Sequence, residues 1–125
     1  MARKVAYWIS TVIVGVMLGF ALTYLMGGAE IVEGFKHLGY PQYLRLILGV
    51  AKPAAGLVLL LPGLALLKEW AYAGVAFAWS MAAVAHWQAG DGMASLFPLV
   101  LLVFLVVSYL TRPATRRLGP APLPA

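Results

Sequence analysis

Lys52 is the residue whose chemistry most needs an explanation. It stands in LGVAKPAAGL, Leu48 to Leu57, directly before a proline and inside a long apolar run. The chain carries few other charges: 9 Lys and Arg, 4 Asp and Glu and 2 His in 125 residues. At 3.6 residues per turn, Arg45, Gly49, Lys52 and Gly56 fall on one helical face, a basic stripe opened by glycines. Trp79, Ala82 and His86 share a face of a later segment, and Asp91 follows in the turn beyond it. Glu30 and Glu33 follow an earlier segment. Lys52, Glu30, Glu33, Arg45, Trp79, His86 and Asp91 are therefore the candidate binding residues. An ammonium, carboxylates and an imidazole in an apolar pocket suit the binding of a small polar head group or a proton relay. The same residues also suit a purely structural role, in which Lys52 pairs with Glu30 or Glu33 and fixes helix register.

Other chemistries are excluded or disfavoured. With 0 Cys, disulfides, thiolate metal sites and thiol catalysis are ruled out. The two histidines have no usual metal-ligand spacing, so no metal is expected. No phosphate-binding loop, Ser–His–Asp arrangement or other recognisable catalytic constellation stands in the sequence. The net charge of +5 is explained by topology and requires no nucleic acid.

The elements that must position these residues follow from composition. Hydrophobic residues make up 63% of the chain, against about 45–50% in soluble domains. A chain of this size cannot bury so much apolar surface, so the excess must face lipid. Four runs reach the ~17–25 residues of a membrane span: about 7–26, 43–61, 70–88 and 93–110. Backbone amides in lipid must be satisfied within their own segment, so these runs are expected to be helices. The expected fold is all-α, a polytopic membrane four-helix bundle forming one domain over 1–112. Residues 27–41 are long enough to include a short interfacial helix, Pro62–Gly63 signals a turn, and QAGDG (88–92) is a tight one. The tail 113–125, rich in proline and small residues, is expected to be disordered.

The basic residues set the orientation. With the N-terminus cytoplasmic, that side holds Arg3, Lys4, Lys68, Arg112, Arg116 and Arg117, and the other holds only Lys36 and Arg45. The positive-inside rule then places both termini in the cytoplasm, in a bacterial-type cytoplasmic membrane. The first apolar run exceeds the ~7–15 residues of a signal peptide's core, so it is expected to be retained as a span. At this depth Lys52 is roughly 13–15 Å from either surface. Its ammonium must therefore turn inward and find a carboxylate or a carbonyl, such as that of Gly49, which Pro53 leaves without a donor.

Small residues point to close packing. Gly15 and Gly19 form a GxxxG spacing, and Ala71, Gly74, Ala78, Ala82 and Ala85 line one stripe of the third run. They suit packing within the bundle, or contact with a second copy or a partner membrane protein. Trp8, Trp70, Trp87, Tyr7, Tyr40 and Tyr109 lie at span ends, as in an aromatic belt. The fourth run, without charge between Gly92 and Thr111, reads as the lipid-facing helix.

HLGYPQYL (37–44), LGVAKPAAGLVLLLPG (48–63) and KEWAYAGVAFAWSMAAVAHWQAGD (68–91) together resemble the DoxX-like family of small four-helix membrane proteins. The resemblance runs from about Val5 to Arg112. The family's lysine falls on Lys52, its charged pair on Lys68–Glu69 and its GD turn on Gly90–Asp91; Pro53 stands where leucine is usual. Most members have no assigned function, and distant relatives include a membrane subunit of a thiosulfate:quinone oxidoreductase. The resemblance therefore implies the fold and, more loosely, a redox-associated module. The cluster in the half of the bundle away from the cytoplasm then reads as a pocket for a small amphipathic, quinone-like molecule, with Trp79 as a stacking wall. The other reading is a non-catalytic accessory subunit whose charges only fix packing.

Overall fold

The computed structural model describes residues 1–119, and among them every regular element is helical. The first apolar run forms α1 (Ala2–Gly19), continued through a 3-10 turn at Phe20–Leu22 into the short α2 (Thr23–Met26). A left-handed Gly27 (φ 66°) ends it. The connection does contain a short helix, α3 (Ala29–His37), followed by α4 (Gln42–Leu60), α5 (Ala65–Gln88) and α6 (Leu96–Leu110). α4 is continuous through Pro53.

The long helices pack in a ring in which α1 and α5 each lie against both α4 and α6. Val14 and Leu18 of α1, Leu59 of α4, Val75 and Trp79 of α5 and Leu101 and Leu105 of α6 meet at the centre. Ile9, Val16, Ile47, Val50, Phe77, Val84 and Val103 face outward. Such an apolar exterior is suited to lipid rather than water. Among the described residues three stretches are long and apolar enough to cross a membrane: Ala2–Met26, Gln42–Leu60 and Gly92–Leu110. α5 is the longest helix at 24 residues. Its alanines, indoles and charged first turn make it less apolar than the other three.

In lipid, helices associate through dispersion contacts that small residues allow, not through a hydrophobic drive. Gly56 of α4 sits against Gly15 of α1: a Cβ at Gly56 would stand 3.1 Å from the Gly15 carbonyl oxygen and 3.1 Å from Leu18 Cβ. A Cβ at Gly15 would meet Leu60 Cδ1 at 2.9 Å, and one at Gly49 would meet Leu25 Cδ2 at 2.7 Å. The half of the GxxxG pair at Gly15 thus serves packing within the chain, while Gly19 has open space where a Cβ would go.

The C-terminal end of α4 is held by two buried cations. The last four carbonyls of a helix lack intrahelical donors. Here Lys68 Nζ donates to Val58 O at 2.7 Å, to Leu61 O and to Gly63 O at 2.8 Å, using all three of its protons. Arg116 Nη1 donates to Leu59 O at 3.0 Å and Leu61 O at 3.2 Å, and Nη2 to Leu60 O at 3.0 Å. Carbonyls 58 to 61 are therefore all answered, and positive charge at a helix C-terminus is favoured by the dipole. Arg116 also donates to the Tyr7 hydroxyl at 3.2 Å. Tyr7, placed by its sequence position in an aromatic belt, is instead fully buried. Of the tail 113–125 expected to be disordered, 120–125 lie outside the described residues. Within 113–119, Ala114–Arg116 form a 3-10 turn that brings Arg116 to those carbonyls.

The same end contains a closed polar network. Thr11 and Tyr72 each share a hydrogen bond with the Ser108 hydroxyl, at 2.6 and 2.7 Å. Glu69 accepts from Arg112 and, at 3.0 Å, from the Tyr109 hydroxyl. α6 is thus not simply lipid-facing: Pro98, Leu101, Leu105 and Ser108 form a buried stripe.

Three outcomes are expected in thermal unfolding. Lys68→Met, which leaves the Val58 and Gly63 carbonyls without a donor, should cost about 2–4 kcal/mol. Gly56→Leu should cost about 1–3 kcal/mol by forcing α4 away from Gly15, while Gly19→Ala should be nearly neutral.

Candidate functional site

Lys52 lies near the middle of α4, on the face turned to the first span. All four residues of the stripe face that way: Gly49 meets Tyr24 and Leu25, Gly56 meets Gly15, and Arg45 donates to the Tyr24 carbonyl and, at 2.9 Å, to Gln42 Oε1. The Lys52 ammonium donates to the Tyr24 hydroxyl at 3.4 Å and sits 5.3 Å from the centre of that ring. Among the described residues no carboxylate comes within ion-pairing distance of it. The partner is a neutral phenol rather than Glu30, Glu33 or the carbonyl of Gly49. Tyr24 was not among the expected site residues, and a separation of 28 positions along the chain hides its meeting with Lys52.

Three hollows open around Lys52. A cavity of about 270 Å³ brings it together with Tyr24, Glu30, His37, Tyr40 and His86. A second, of about 240 Å³, shares Lys52, Tyr24 and His86 and adds Trp79 and Phe97. The third, of about 320 Å³, is an apolar groove between α4 and α5. Four expected residues, Lys52, Glu30, Trp79 and His86, therefore line hollows that meet at the lysine. Glu33 lies apart, exposed and paired with Lys36 at 3.5 Å. Arg45 is engaged in fastening α2 to α4, and Asp91 acts through the histidines.

Asp91 Oδ1 stands 2.6 Å from His37 Nε2, and Oδ2 2.6 Å from His86 Nδ1. The hydrogen bond from His37, then that from His86, hold the Asp91 carboxyl below its ordinary 3.8. An ionised carboxylate only accepts, so both imidazoles donate. A neutral His86 then carries its lone pair on Nε2. His37, at the end of α3 and 54 residues from Asp91, was not among the expected site residues. Its place in the bridge had no signal in the spacing. The bridge ties α3 to the turn between α5 and α6. Phe35 helps seat α3, its ring edge-on to Tyr24 at 5.1 Å. Tyr40 donates to Met81 O at 3.3 Å, and burial pushes its phenol above the usual 10.0, so it remains a donor at neutral pH. Among the described residues no group of three or more His, Cys, Asp or Glu forms a metal-binding set.

An all-helical chain with membrane-length apolar helices and polar groups gathered around a mid-helix lysine is an integral membrane protein. Its sequence matches the profile of the DoxX-like family over residues 8–108, and the chain belongs to that family. Comparison with curated proteins and with solved structures gives no match.

The bridge sets a pH dependence. Because the folded-state value of Asp91 is depressed, its contribution to stability is whole above 3.8 and is lost as pH falls through the lower folded value. The unfolding temperature of the native chain should therefore drop more steeply below about pH 4 than that of Asp91→Asn, when both are followed by thermal melts in detergent.

Proposed function

We propose that this chain is a four-span protein of a bacterial-type cytoplasmic membrane, both termini inside, whose polar pocket binds a small amphipathic molecule of quinone-like type. Support for the fourth span comes from α5, whose 24 residues would reach about 36 Å against a hydrocarbon core of about 30 Å. Arg3 donates to Leu110 O and Arg116 to Tyr7, which gathers the start of the chain and its last described residues at one end. The positive-inside rule favours the cytoplasm for that end, where Lys4, Lys68, Arg112 and Arg117 also belong.

The observation that carries the binding reading is the incomplete satisfaction of Lys52. An ammonium at mid-membrane depth, with one long bond to a neutral phenol and cavities beside it, is suited to donate to an acceptor oxygen of a ligand. Tyr24 and His86 would complete the polar contacts, Glu30 would stand at the rim and Trp79 would offer a flat wall. A second reading draws on the same contact: Lys52 on Tyr24 fastens α4 to the first span, as an accessory subunit would need for packing alone.

One substitution separates the two. Lys52→Met should weaken a benzoquinone probe at least about tenfold, followed by tryptophan quenching in bilayer discs, while helicity and unfolding temperature hold. Unchanged probe binding by a folded variant would leave the packing role.

A further inference from the structure

The groove between α4 and α5 meets the polar cavity. Leu48, Lys52 and Ala78 line both. From Lys52 the groove runs past Ala55 and Val58 on α4 and past Gly74 and Ala71 on α5 to Trp70. Apart from the lysine its lining is apolar. From Ala78, level with Lys52, to Leu67 on α5 its length is roughly 16 Å, which accommodates an extended decyl chain. Small residues on both helices leave it unfilled by this chain's own side chains: a Cβ at Gly74 would have nothing within 4 Å. A polar hollow at one end and a narrow apolar channel leading away from it, joined at a cation, have the outline of a molecule with one head and one tail.

We infer that the ligand is a single-chain amphiphile that enters sideways from the bilayer between α4 and α5, its hydrocarbon chain lying in this groove and the acceptor oxygens of its head reaching Lys52. This rests on the reading of the polar cavity as a binding pocket and adds the tail's path and the chain class. A chain leaving lipid for the groove gains little hydrophobic free energy, so the groove acts through fit. Filling it should act on the tail and leave the head untouched.

The test compares methyl-substituted and decyl-substituted benzoquinone, which differ only in the chain. Binding is read by tryptophan quenching in bilayer discs, in a Trp8→Phe/Trp87→Phe background that keeps Trp70 in the groove and Trp79 beside the head. Gly74→Leu places a side chain in open space and should leave folding intact, checked by circular dichroism. It should weaken the decyl probe about tenfold and leave the methyl probe unchanged. Equal decyl affinity in the native chain and Gly74→Leu, with both probes still dependent on Lys52, would overturn the tail's path and spare the pocket. Absence of saturable binding by either probe would overturn both. Because the sequence has no cysteine, Gly74→Cys reports on a second copy. Efficient disulfide cross-linking between chains there would show that a neighbour covers the groove, and would likewise overturn the inference.

Discussion

The four carbonyls at the C-terminal end of α4 impose the condition on which the rest of the arrangement depends. They lack intrahelical donors, and a carbonyl left unanswered away from water costs about 1–3 kcal/mol. Lys68, from the first turn of α5, and Arg116, from beyond α6, supply the donors. Both must come to the same point, which brings the start of α5 and the chain's C-terminal segment around the foot of α4. With the foot fixed there and Gly56 seated on Gly15, the rotation of α4 is settled. Its cationic stripe then has to face the first span.

The foot of α4 and the surroundings of Lys52 use polar groups differently. At the end of Lys68 and Arg116, cations meet carbonyls and hydroxyls meet one another, and Glu69 meets Arg112 and Tyr109. Among the described residues no buried side-chain nitrogen or oxygen lacks a hydrogen-bond partner. Around Lys52 the single bond to Tyr24 is 3.4 Å long and hollows adjoin it. A saturated network makes a rigid base, whereas a donor with spare capacity beside a cavity can still donate to a further acceptor.

Much of this was legible in the sequence because it is local. Hydropathy located the helices to within a few residues, apart from two starts: α1 begins at Ala2 rather than 7, and α5 at Ala65 rather than 70 because Lys68 and Glu69 find partners and stay helical. Helical spacing placed Arg45, Gly49, Lys52 and Gly56 on one face, and Trp79 with His86 on another. What spacing along one helix cannot give is the register between helices. Tyr24 lies 28 residues from Lys52, His37 lies 54 from Asp91, and Arg116 lies 57 from Leu59. For each of these pairs the residue types allowed several partners, and only the packed backbones choose among them. The expected ion pair of Lys52 with Glu30 or Glu33 came from nearness in predicted depth. The structure gives the lysine a phenol because α2 carries Tyr24 directly over it, whereas Gly27 turns the chain before Glu30.

The bridge from His37 through Asp91 to His86 connects this polar region to the exposed surface of the chain. His37 is exposed, Asp91 sits in the turn before α6, and His86 lines the cavities around Lys52. With Asp91 ionised and accepting from both rings, each neutral imidazole has one defined tautomer, and the nitrogen left to His86 as an acceptor is Nε2. Asp91 therefore holds the orientation of the imidazole beside the cavity. The same carboxylate fastens α3 over the cavity through His37. The cover of the cavity and the orientation of its imidazole thus rest on one side chain, and a change at Asp91 acts on both together.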